Sequence, residues 1–423
     1  MKRSARWMAI ALFPAIAAQS QVPRPADLID PDRPFDQYLW ITAHNAANYG
    51  SLFPNQSFDV TEQLQRGVRG LMLDIYERDG QLFTCHSDCA FHGRKAPLEN
   101  DLRAVSRFLD LHPEAVIALH LEDYNARPAM EAFVQSHPAL FRRSFNPGDP
   151  RWKTSAQGWP TLRALIAADQ RLLIMSQRAD LSGSYAGGLA YFMHDQKATA
   201  ENYWSLGTTI ATHDHRCRPR WKDVPLDAVD QPLGLPRLFV MNHFHGVPFA
   251  PHSGIDNRLD TILQRLDAEC LPAAGRMPNY LAIDFIEWGD VLEFAETYNN
   301  GGLIAFTGND ASGKPMCSFS TAFERSWSLE SAPRMGCEDN AIRSVVFRGA
   351  HAGQRVTFHD AANGSDQRPY TVIDVLQDIA WDAPQPVRSL QEDLDTPFLR
   401  VRHVTPGPLD GRVSRISVGA SGR

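Results

Sequence analysis

Two histidines stand at the ends of short apolar segments, where an imidazole can carry out acid-base chemistry. Cleavage of a phosphodiester by a neighbouring hydroxyl group requires a base for the hydroxyl proton, an acid for the leaving alkoxide and positive charge on the phosphoryl oxygens. An imidazole titrates near neutral pH and serves as either base or acid. We therefore take His44 and His86 as a candidate catalytic pair, with a packing or capping role as the alternative for each.

Side chains with oxygen atoms follow the predicted strands in the same way. The carboxyl ends of parallel strands in a barrel meet at one rim, where catalytic groups are found. We therefore expect one shared site at this rim. The side chains that follow or end the first, second, third, seventh and last strands are, in this order, Asn45, Asp74, Glu122, Asn242 and Asp284.

The elements that would position this site alternate between strands and helices, as in βαβ units. Strands are predicted at Leu39–Ala43, Gly70–Ile75, Val116–Leu121, Arg171–Ser176, Leu189–Met193, Thr208–Ala211, Leu238–Asn242 and Tyr280–Phe285. Helices are predicted at Val60–Arg66, Glu99–Leu111, Arg127–Ser136, Thr161–Ala168, Asp256–Glu269 and Val291–Tyr298, with Thr161 and Asp256 as helix starts. The predicted fold is α/β: a TIM-type barrel, regular or irregular, followed by a small antiparallel β domain.

The composition divides the chain into four segments. Residues 1–20 have the basic start, the apolar run Met8–Ala18 and the small residues of an export signal, with a buried N-terminal helix as the alternative. Residues 21–305 would form the barrel, 306–336 a linker rich in Gly, Ser and Pro, and 337–423 the β domain. Strands of that domain are predicted at Ser344–Phe347, Arg355–His359, Tyr370–Val375, Phe398–Val404 and Val413–Val418. The signal predicts a secreted or periplasmic protein.

Charge and hydropathy disfavour two classes of protein. Without residues 1–20 the chain carries 39 basic and 49 acidic side chains, a formal charge of −10, which disfavours a general nucleic-acid binder. No later stretch is apolar over the length that a membrane span needs. Contact with a membrane would therefore be peripheral and made by loops.

The six cysteines are an even number, as expected for disulfides in an exported chain. A zinc site that includes His86 and His92 is the alternative, but no second Cys or His pair stands at the spacing of a structural zinc site. Sequential pairing would join Cys85–Cys89, Cys217–Cys270 and Cys317–Cys337.

Six segments in one order and spacing connect the chain to a known family. They are Trp40–Asn45, Gly67–Tyr76, Cys85–Ser87, Leu119–Tyr124, Arg171–Ile174 and Tyr280–Phe285. Together they resemble the X domain of phosphatidylinositol-specific phospholipases C, most closely the secreted or surface-anchored branch found in bacteria, fungi and plants. The resemblance covers about residues 35–300.

The resemblance implies a role for each matching residue. His44 would be the general base toward the inositol 2-hydroxyl group, and His86 the general acid for the glycerol leaving group. Asp284 would hold His44 in its active tautomer, as a triad aspartate holds its histidine. Oxygen ligands suit a hard cation. The positions that hold calcium in metal-dependent members correspond to Asn45, Asp74 and Glu122.

Two residues depart from the family pattern. Met72 stands where calcium-dependent members have a ligand glutamate, and a thioether is a poor ligand for calcium. Tyr76 stands where metal-free bacterial members have an arginine. Calcium is the expected cofactor, with magnesium or a metal-free site as alternatives. Arg69 is a candidate cationic substitute that could bind the substrate, with a structural ion pair as the alternative.

Further residues are candidates for contact with the substrate. Asn242 and Trp288 are expected to bind it, and Trp159 and Trp204 could likewise stack on a sugar ring or touch a lipid interface, with burial as the alternative. A histidine-rich group resembles a metal-ligand cluster, but its spacing matches no known metal motif, so we expect it to line the mouth of the site. Its members are His213, Asp214, His215, His243, His245 and His252.

The C-terminal domain carries one further resemblance. Asp339–Ser344 is similar to the calcium-binding signature of βγ-crystallin modules, except at Arg343. A β-turn before a strand accounts for the same residues.

The residues and the resemblance together predict a phosphodiesterase that cleaves phosphatidylinositol, or a glycosylated inositol lipid, to a lipid alcohol and a cyclic inositol phosphate. Two alternatives stay open. One is a glycerophosphodiesterase or a sphingomyelinase D-like enzyme, although those families have a Glu-x-Asp pair where this chain has Met72-Leu73-Asp74. The other is a catalytically silent barrel that binds inositol phosphates or glycans.

Overall fold

The computed structural model describes residues 30–86, 94–152, 158–330 and 336–420. The predicted export signal, Cys89 and His92 lie outside these ranges. The Cys85–Cys89 pairing and the zinc alternative at His86 therefore stay predictions.

The first part of the chain forms an α/β barrel, as predicted. Its parallel strands follow the order β8-β6-β5-β2-β1-β11-β10-β9, and β3, β4 and β7 attach as antiparallel strands. The strands are β1 Trp40–Ala43, β2 Gly70–Arg78, β3 Gln81–Thr84, β4 Ala96–Pro97, β5 Ile117–Tyr124, β6 Leu172–Ser176, β7 Gly183–Tyr185, β8 Ala190–His194, β9 Thr199–Glu201, β10 Leu238–Asn242 and β11 Tyr280–Ile283.

The barrel does not close between its two end strands. Within the described residues β8 and β9 do not pair with each other. Only Asp195–Ala198 separates them, and a crossover between parallel neighbours needs about a dozen residues or more. The prediction of a strand at Thr208–Ala211 was wrong, because a 3-10 helix at Ile210–Thr212 lies there and the eighth parallel strand is the short β9.

Helices cover the outside of the sheet. Thr161 caps its helix, as predicted, by accepting a hydrogen bond of 3.2 Å from the Ala164 N–H. Asp256 ends a helix, so its prediction as a helix start was wrong. The helices are α1 Val60–Gln65, α2 Leu98–Leu111, α3 Arg127–Ser136, α4 Pro138–Phe141, α5 Leu162–Ala167, α6 Asp195–Ala198, α7 Ala250–Asp256, α8 Leu259–Arg265, the π-helix Leu266–Cys270, α9 Leu271–Ala274 and α10 Val291–Asn300.

Alternate residues of the parallel strands enter two different cores. In β10, Leu238 and Val240 pack in one core, whereas Phe239 and Met241 pack with the helices in the other. This burial on both sides explains why these strands are continuous apolar runs. At the start of β2, a Cβ atom on Gly70 would lie 2.2 Å from the Thr42 Oγ1 atom of β1, so glycine is required there.

The second part of the chain is a pair of antiparallel sheets over a common core. The predicted linker 306–336 was wrong, because two of its segments are strands of these sheets. The Asp339-Asn340 pair lies in a turn before β15, which is the β-turn alternative. The strands are β12 Gly302–Phe306, β13 Pro315–Ser320, β14 Arg325–Ser328, β15 Ser344–Arg348, β16 Gln354–His359, β17 Tyr370–Val375, β18 Gln385–Val387, β19 Leu394–Asp395, β20 Leu399–His403 and β21 Arg415–Ala420.

Two disulfides cross-link the described residues, and both were predicted. Cys217–Cys270 ties the long segment between β9 and β10 to the π-helix, and Cys317–Cys337 lies in the β domain. Of the helices in the described ranges, none combines the length and the apolar character of a membrane span.

Candidate active site

His44 lies directly after β1, and its ring is held from two sides. Its Nδ1 atom lies 2.8 Å from the Asp284 Oδ1 atom, and its ring stacks on Phe244 with 3.5 Å between centroids. A carboxylate only accepts hydrogen bonds, so His44 carries a proton on Nδ1, and in the neutral ring Nε2 is the nitrogen that can accept a proton. Asp284 is 2% exposed and also accepts a 2.9 Å hydrogen bond from the Asn55 amide. This arrangement suits a general base.

The backbone is unusual directly after both partners of this pair. Asn45 has φ of 44° and Phe285 has φ of 49°, a region that bulky side chains rarely adopt. The Phe285 N–H donates a 2.8 Å hydrogen bond to the Asn55 carbonyl, which helps to hold the turn. Such conformations persist where the surrounding structure enforces them, often at functional sites.

His86 lies beyond the end of β3 and contacts a second carboxylate. Its Nδ1 atom is 3.3 Å from Asp74 Oδ2 and 3.0 Å from the Asn45 amide nitrogen. The hydrogen bond to Asp74 raises the pKa of His86, against the opposing effect of burial. A raised pKa favours the imidazolium form, which then presents its Nε2 proton. The ring is suited to act as a general acid.

The two histidines open into one cavity of about 410 Å³. Four of the five side chains with oxygen atoms predicted for this rim also line it, namely Asn45, Asp74, Glu122 and Asn242. Asp284 lies behind His44. The structure therefore brings the predicted set to one place, because the ends of β1, β2, β5, β10 and β11 meet at the same rim.

Three of these side chains are suited to bind a hard cation. Asp74 and Glu122 stand opposite each other in register on β2 and β5. Burial, and then the charge of Glu122, raise the pKa of Asp74 against the opposing hydrogen bond from His86. The amide nitrogen of Asn45 donates a 3.4 Å hydrogen bond to Asn55 Oδ1, and the amide oxygen is the atom that a cation would bind. Two adjacent carboxylates and an amide oxygen fit calcium or magnesium.

The opposite wall of the cavity holds an arginine among carboxylates. Arg220 donates a 2.7 Å hydrogen bond to Glu201 and lies 3.4 Å from Glu122. Asp195 is fully buried nearby, and burial together with the charge of Glu201 raises its pKa to about 7. Glu201 also accepts a 2.6 Å hydrogen bond from the Asn242 amide. This wall offers several acceptors and one cation to a polar ligand.

Three residues considered as substrate contacts lie away from this cavity. Arg69 is buried and donates to the carbonyl oxygens of Leu64 and Val68, so its placement in the substrate site was wrong. Trp288, also predicted to bind the substrate, packs against Gly254 and does not line the cavity. Trp159 is buried. The local sequence around Arg69 and Trp288 does not indicate whether either side chain faces the cavity.

Several residues that shape the site were not predicted from the sequence. Phe244 and Asn55 hold the His44–Asp284 pair, and Arg220 and Glu201 form the opposite wall. Arg220 lies in the segment between β9 and β10, where no strand pattern marks its position. Phe244 stands two residues beyond Asn242, so its closeness to a predicted strand end was the one available signal.

Comparison with known proteins identifies relatives of this chain. The family model PI-PLC X 1, for the PI-PLC X domain, matches residues 31–299. A PI-PLC X domain-containing protein of Arabidopsis thaliana is 29% identical over 303 residues, which cover 67% of this chain and 66% of the plant protein. PI-PLC X domain-containing protein 1 of Arthroderma benhamiae is 27% identical, covering 63% of this chain and 86% of that protein. The phosphatidylinositol-specific phospholipase C of Listeria monocytogenes has a TM-score of 0.44 and 13% identity, covering 65% of this chain and 98% of that chain.

Proposed function

This chain belongs to the PI-PLC X domain family, and on that premise we propose that it is a phosphodiesterase that cleaves a phosphoinositide or a glycosylated inositol lipid. The observation that carries the proposal is the presence of two carboxylate-paired histidines in one cavity. Each imidazole has its Nδ1 atom beside an aspartate oxygen, at 2.8 Å for His44 and 3.3 Å for His86, so Nε2 would be the reacting nitrogen of both rings.

The proposed reaction uses His44 as base and His86 as acid. The inositol hydroxyl oxygen attacks phosphorus while its proton passes to His44 Nε2. The bond between phosphorus and the lipid alcohol oxygen breaks, and that oxygen takes the Nε2 proton of His86. The products are a cyclic inositol phosphate and a lipid alcohol. Each proton transfer contributes about 10²–10⁴-fold to the rate of such reactions.

A divalent cation fits beside this pair. Asn45, Asp74 and Glu122 would hold it, and calcium or magnesium bound there would offset negative charge on the phosphoryl oxygens. Met72 lines the same cavity and offers only a thioether. The site would therefore rely on water and the substrate for its remaining ligands, so we expect turnover to require added metal and to stop with a chelator.

The opposite wall supports a headgroup with many hydroxyl groups. Hydroxyls donate hydrogen bonds to carboxylates, and this wall carries Glu201 and Asp195 beside Arg220. Trp204 also lines the cavity and is 41% exposed, so it offers an apolar face to a sugar ring. A choline headgroup has no hydroxyl donor to match these acceptors.

Exposed apolar side chains near the mouth support a lipid substrate. Val247 and Phe249 are 49% and 52% exposed, and both adjoin the cavity-lining residue Pro248. We expect Phe249→Ser to lower turnover of phosphatidylinositol in vesicles several-fold while leaving a short-chain soluble analogue unaffected. Equal loss on both substrates would count against contact with the lipid surface.

The central test replaces each histidine in turn. His44→Ala and His86→Ala should each reduce phosphatidylinositol turnover by about 10²–10⁴-fold, with the cyclic product followed by phosphorus NMR. His351→Gln, an exposed histidine of the β domain, is the matched control and should retain activity. Inositol, choline and ethanolamine lipids should be compared under metal titration. Undiminished turnover in both alanine variants would refute the proposal, and preference for choline would redirect it to another phosphodiesterase class.

A further inference from the structure

A second group of ligand-type side chains lies beside the segment that packs on His44. His213 comes from the long segment between β9 and β10, His245 follows β10, and Asp256 ends α7. Their ligand atoms all lie within 4.8 Å of one another, in the part of the chain that the structure describes. His213 Nε2 is 3.1 Å from His245 Nε2, and each nitrogen is 2.8 Å from one carboxylate oxygen of Asp256.

The hydrogen bonds around His245 identify which of its nitrogens faces the cluster. Its Nδ1 atom lies 3.2 Å from the Gly207 carbonyl oxygen, which only accepts hydrogen bonds, so Nδ1 carries the proton. The Nε2 atom of His245 faces the Asp256 carboxylate at 2.8 Å and the Nε2 atom of His213 at 3.1 Å. Three acceptor-type atoms this close need a cation between them, and either a proton or a metal ion can fill that place.

The carboxylate of this group is buried. Asp256 is 1% exposed, and its Oδ1 and Oδ2 atoms face the Nε2 atoms of His213 and His245, each at 2.8 Å. A buried carboxylate needs positive charge beside it, and a cation bound among the three side chains would supply that charge.

Surrounding residues hold the carboxylate-bearing turn in place. His243 Nε2 donates a 2.8 Å hydrogen bond to the Asp256 carbonyl oxygen, and Arg265 donates to His243 Nδ1 at 2.9 Å. Metal sites commonly have such an outer layer that orients the ligands.

We propose that His213, His245 and Asp256 bind one divalent metal ion of the zinc type. Two imidazoles and a carboxylate form a set that zinc prefers and calcium does not. The site is distinct from the oxygen ligands at Asn45, Asp74 and Glu122. It joins three segments of the chain, and His245, which lines the cavity, directly follows Phe244, which stacks on His44. The metal would therefore also stabilise the wall against which the catalytic base packs.

The test measures metal binding by the full mature protein, independently of turnover. Protein stripped with a chelator and dialysed should take up one zinc per chain, measured by atomic emission and calorimetry, and cobalt should give the visible absorption of a nitrogen-ligated ion. His245→Gln and Asp256→Asn should weaken zinc binding by at least about 100-fold. His351→Gln is the control and should bind as the wild type does. Circular dichroism checks that every variant is folded.

Two results would overturn the proposal. A folded wild-type protein that takes up neither zinc nor cobalt would leave the cluster as a hydrogen-bonded ion pair. Zinc retained at wild-type affinity in His245→Gln would place the ion elsewhere, for example at the catalytic histidines. Loss of zinc in the variants, together with retained zinc in the control, supports the site whether or not the protein cleaves phosphoinositides.

Discussion

The two sides of the barrel are built in different ways. On one side, β5, β2, β1 and β11 pair in continuous register, and the strand ends and the loops after them place His44, His86, Asp74 and Asp284. On the other side the sheet stops between β8 and β9, and a long segment before β10 completes the wall. Disulfide Cys217–Cys270 and the Arg220 ion pairs hold that segment. The proposed reacting groups thus lie on or directly after paired strands, whereas the wall proposed to bind the headgroup is held by a disulfide and ion pairs.

The largest expected effect lies on the paired side. Asp284→Asn should lower kcat about 10³-fold with little change in KM, because the amide no longer selects the Nδ1 tautomer of His44. The measurement is steady-state turnover with circular dichroism to check the fold. Asp79→Asn, in the exposed turn between β2 and β3, is the control and should behave as the wild type does. A variant in which KM alone changes would indicate that Asp284 acts in binding instead.

The cross-linked side should depend on its disulfide. Removing Cys217–Cys270 by a Cys217→Ser/Cys270→Ser double change should cost about 2–5 kcal/mol of unfolding free energy and also reduce activity at temperatures where the rest of the barrel stays folded. The matching double change at Cys317 and Cys337 should cost a similar amount and leave activity below the unfolding transition unaltered. Denaturant unfolding and turnover at several temperatures compare the two. Equal losses of activity would remove the distinction between the regions.

A smaller effect should follow from removing the cation of the opposite wall. Arg220→Gln leaves the buried Glu201 without its ion-pair partner, which costs about 3 kcal/mol of stability in comparable cases, and we expect KM to rise about tenfold. Arg216→Gln changes an exposed arginine of the same segment and is the control. If the kcat of Arg220→Gln falls instead while KM holds, Arg220 belongs with the reacting groups and the division of roles is wrong.

The smallest expected effect is a change in how stability depends on pH. It arises on the paired side, at a residue that does not line the cavity. Burial raises the pKa of Asp123 on β5 to about 7, against opposing effects from Ser176 and Arg178. The folded form therefore holds a proton that the unfolded chain releases near pH 4, so stability falls as pH rises between these values. The unfolding free energy should fall between pH 5 and pH 7, and Asp123→Asn should reduce that fall by about 2 kcal/mol. Urea unfolding at pH 5 and pH 7 measures this difference. If the unfolding free energy of the variant falls as much as that of the wild type, the prediction is contradicted.

Much of the parallel sheet follows from local sequence. Runs such as Leu238–Asn242 are apolar because both faces of a parallel strand are buried, and this strand has the predicted bounds. The ends of parallel strands meet at one rim in any such barrel. The residue pattern alone therefore suffices to group His44, Asp74, Glu122 and Asn242.

Other features, in the barrel and in the β domain, depend on contacts between segments that are distant in the chain. Thr208–Ala211 has β-branched residues suited to a strand, but the chain forms β9 earlier because that segment can pair with β10. Asp256 has the residue type of a helix cap, yet its carboxylate faces His213 and His245. The segments 315–320 and 325–328 have the composition of a linker and become strands only through their partners.

The amino-acid sequence by itself determined the alternation of strands and helices and the groups that end the strands, because burial period is a local property that the residue pattern carries. The family came from the resemblance of six motifs in one order and spacing. Tertiary structure alone decided where Arg69 and Arg220 lie, which strand fills the open edge and which histidines face Asp256. Those outcomes depend on side chains brought together from segments far apart in the chain, and no local pattern records them.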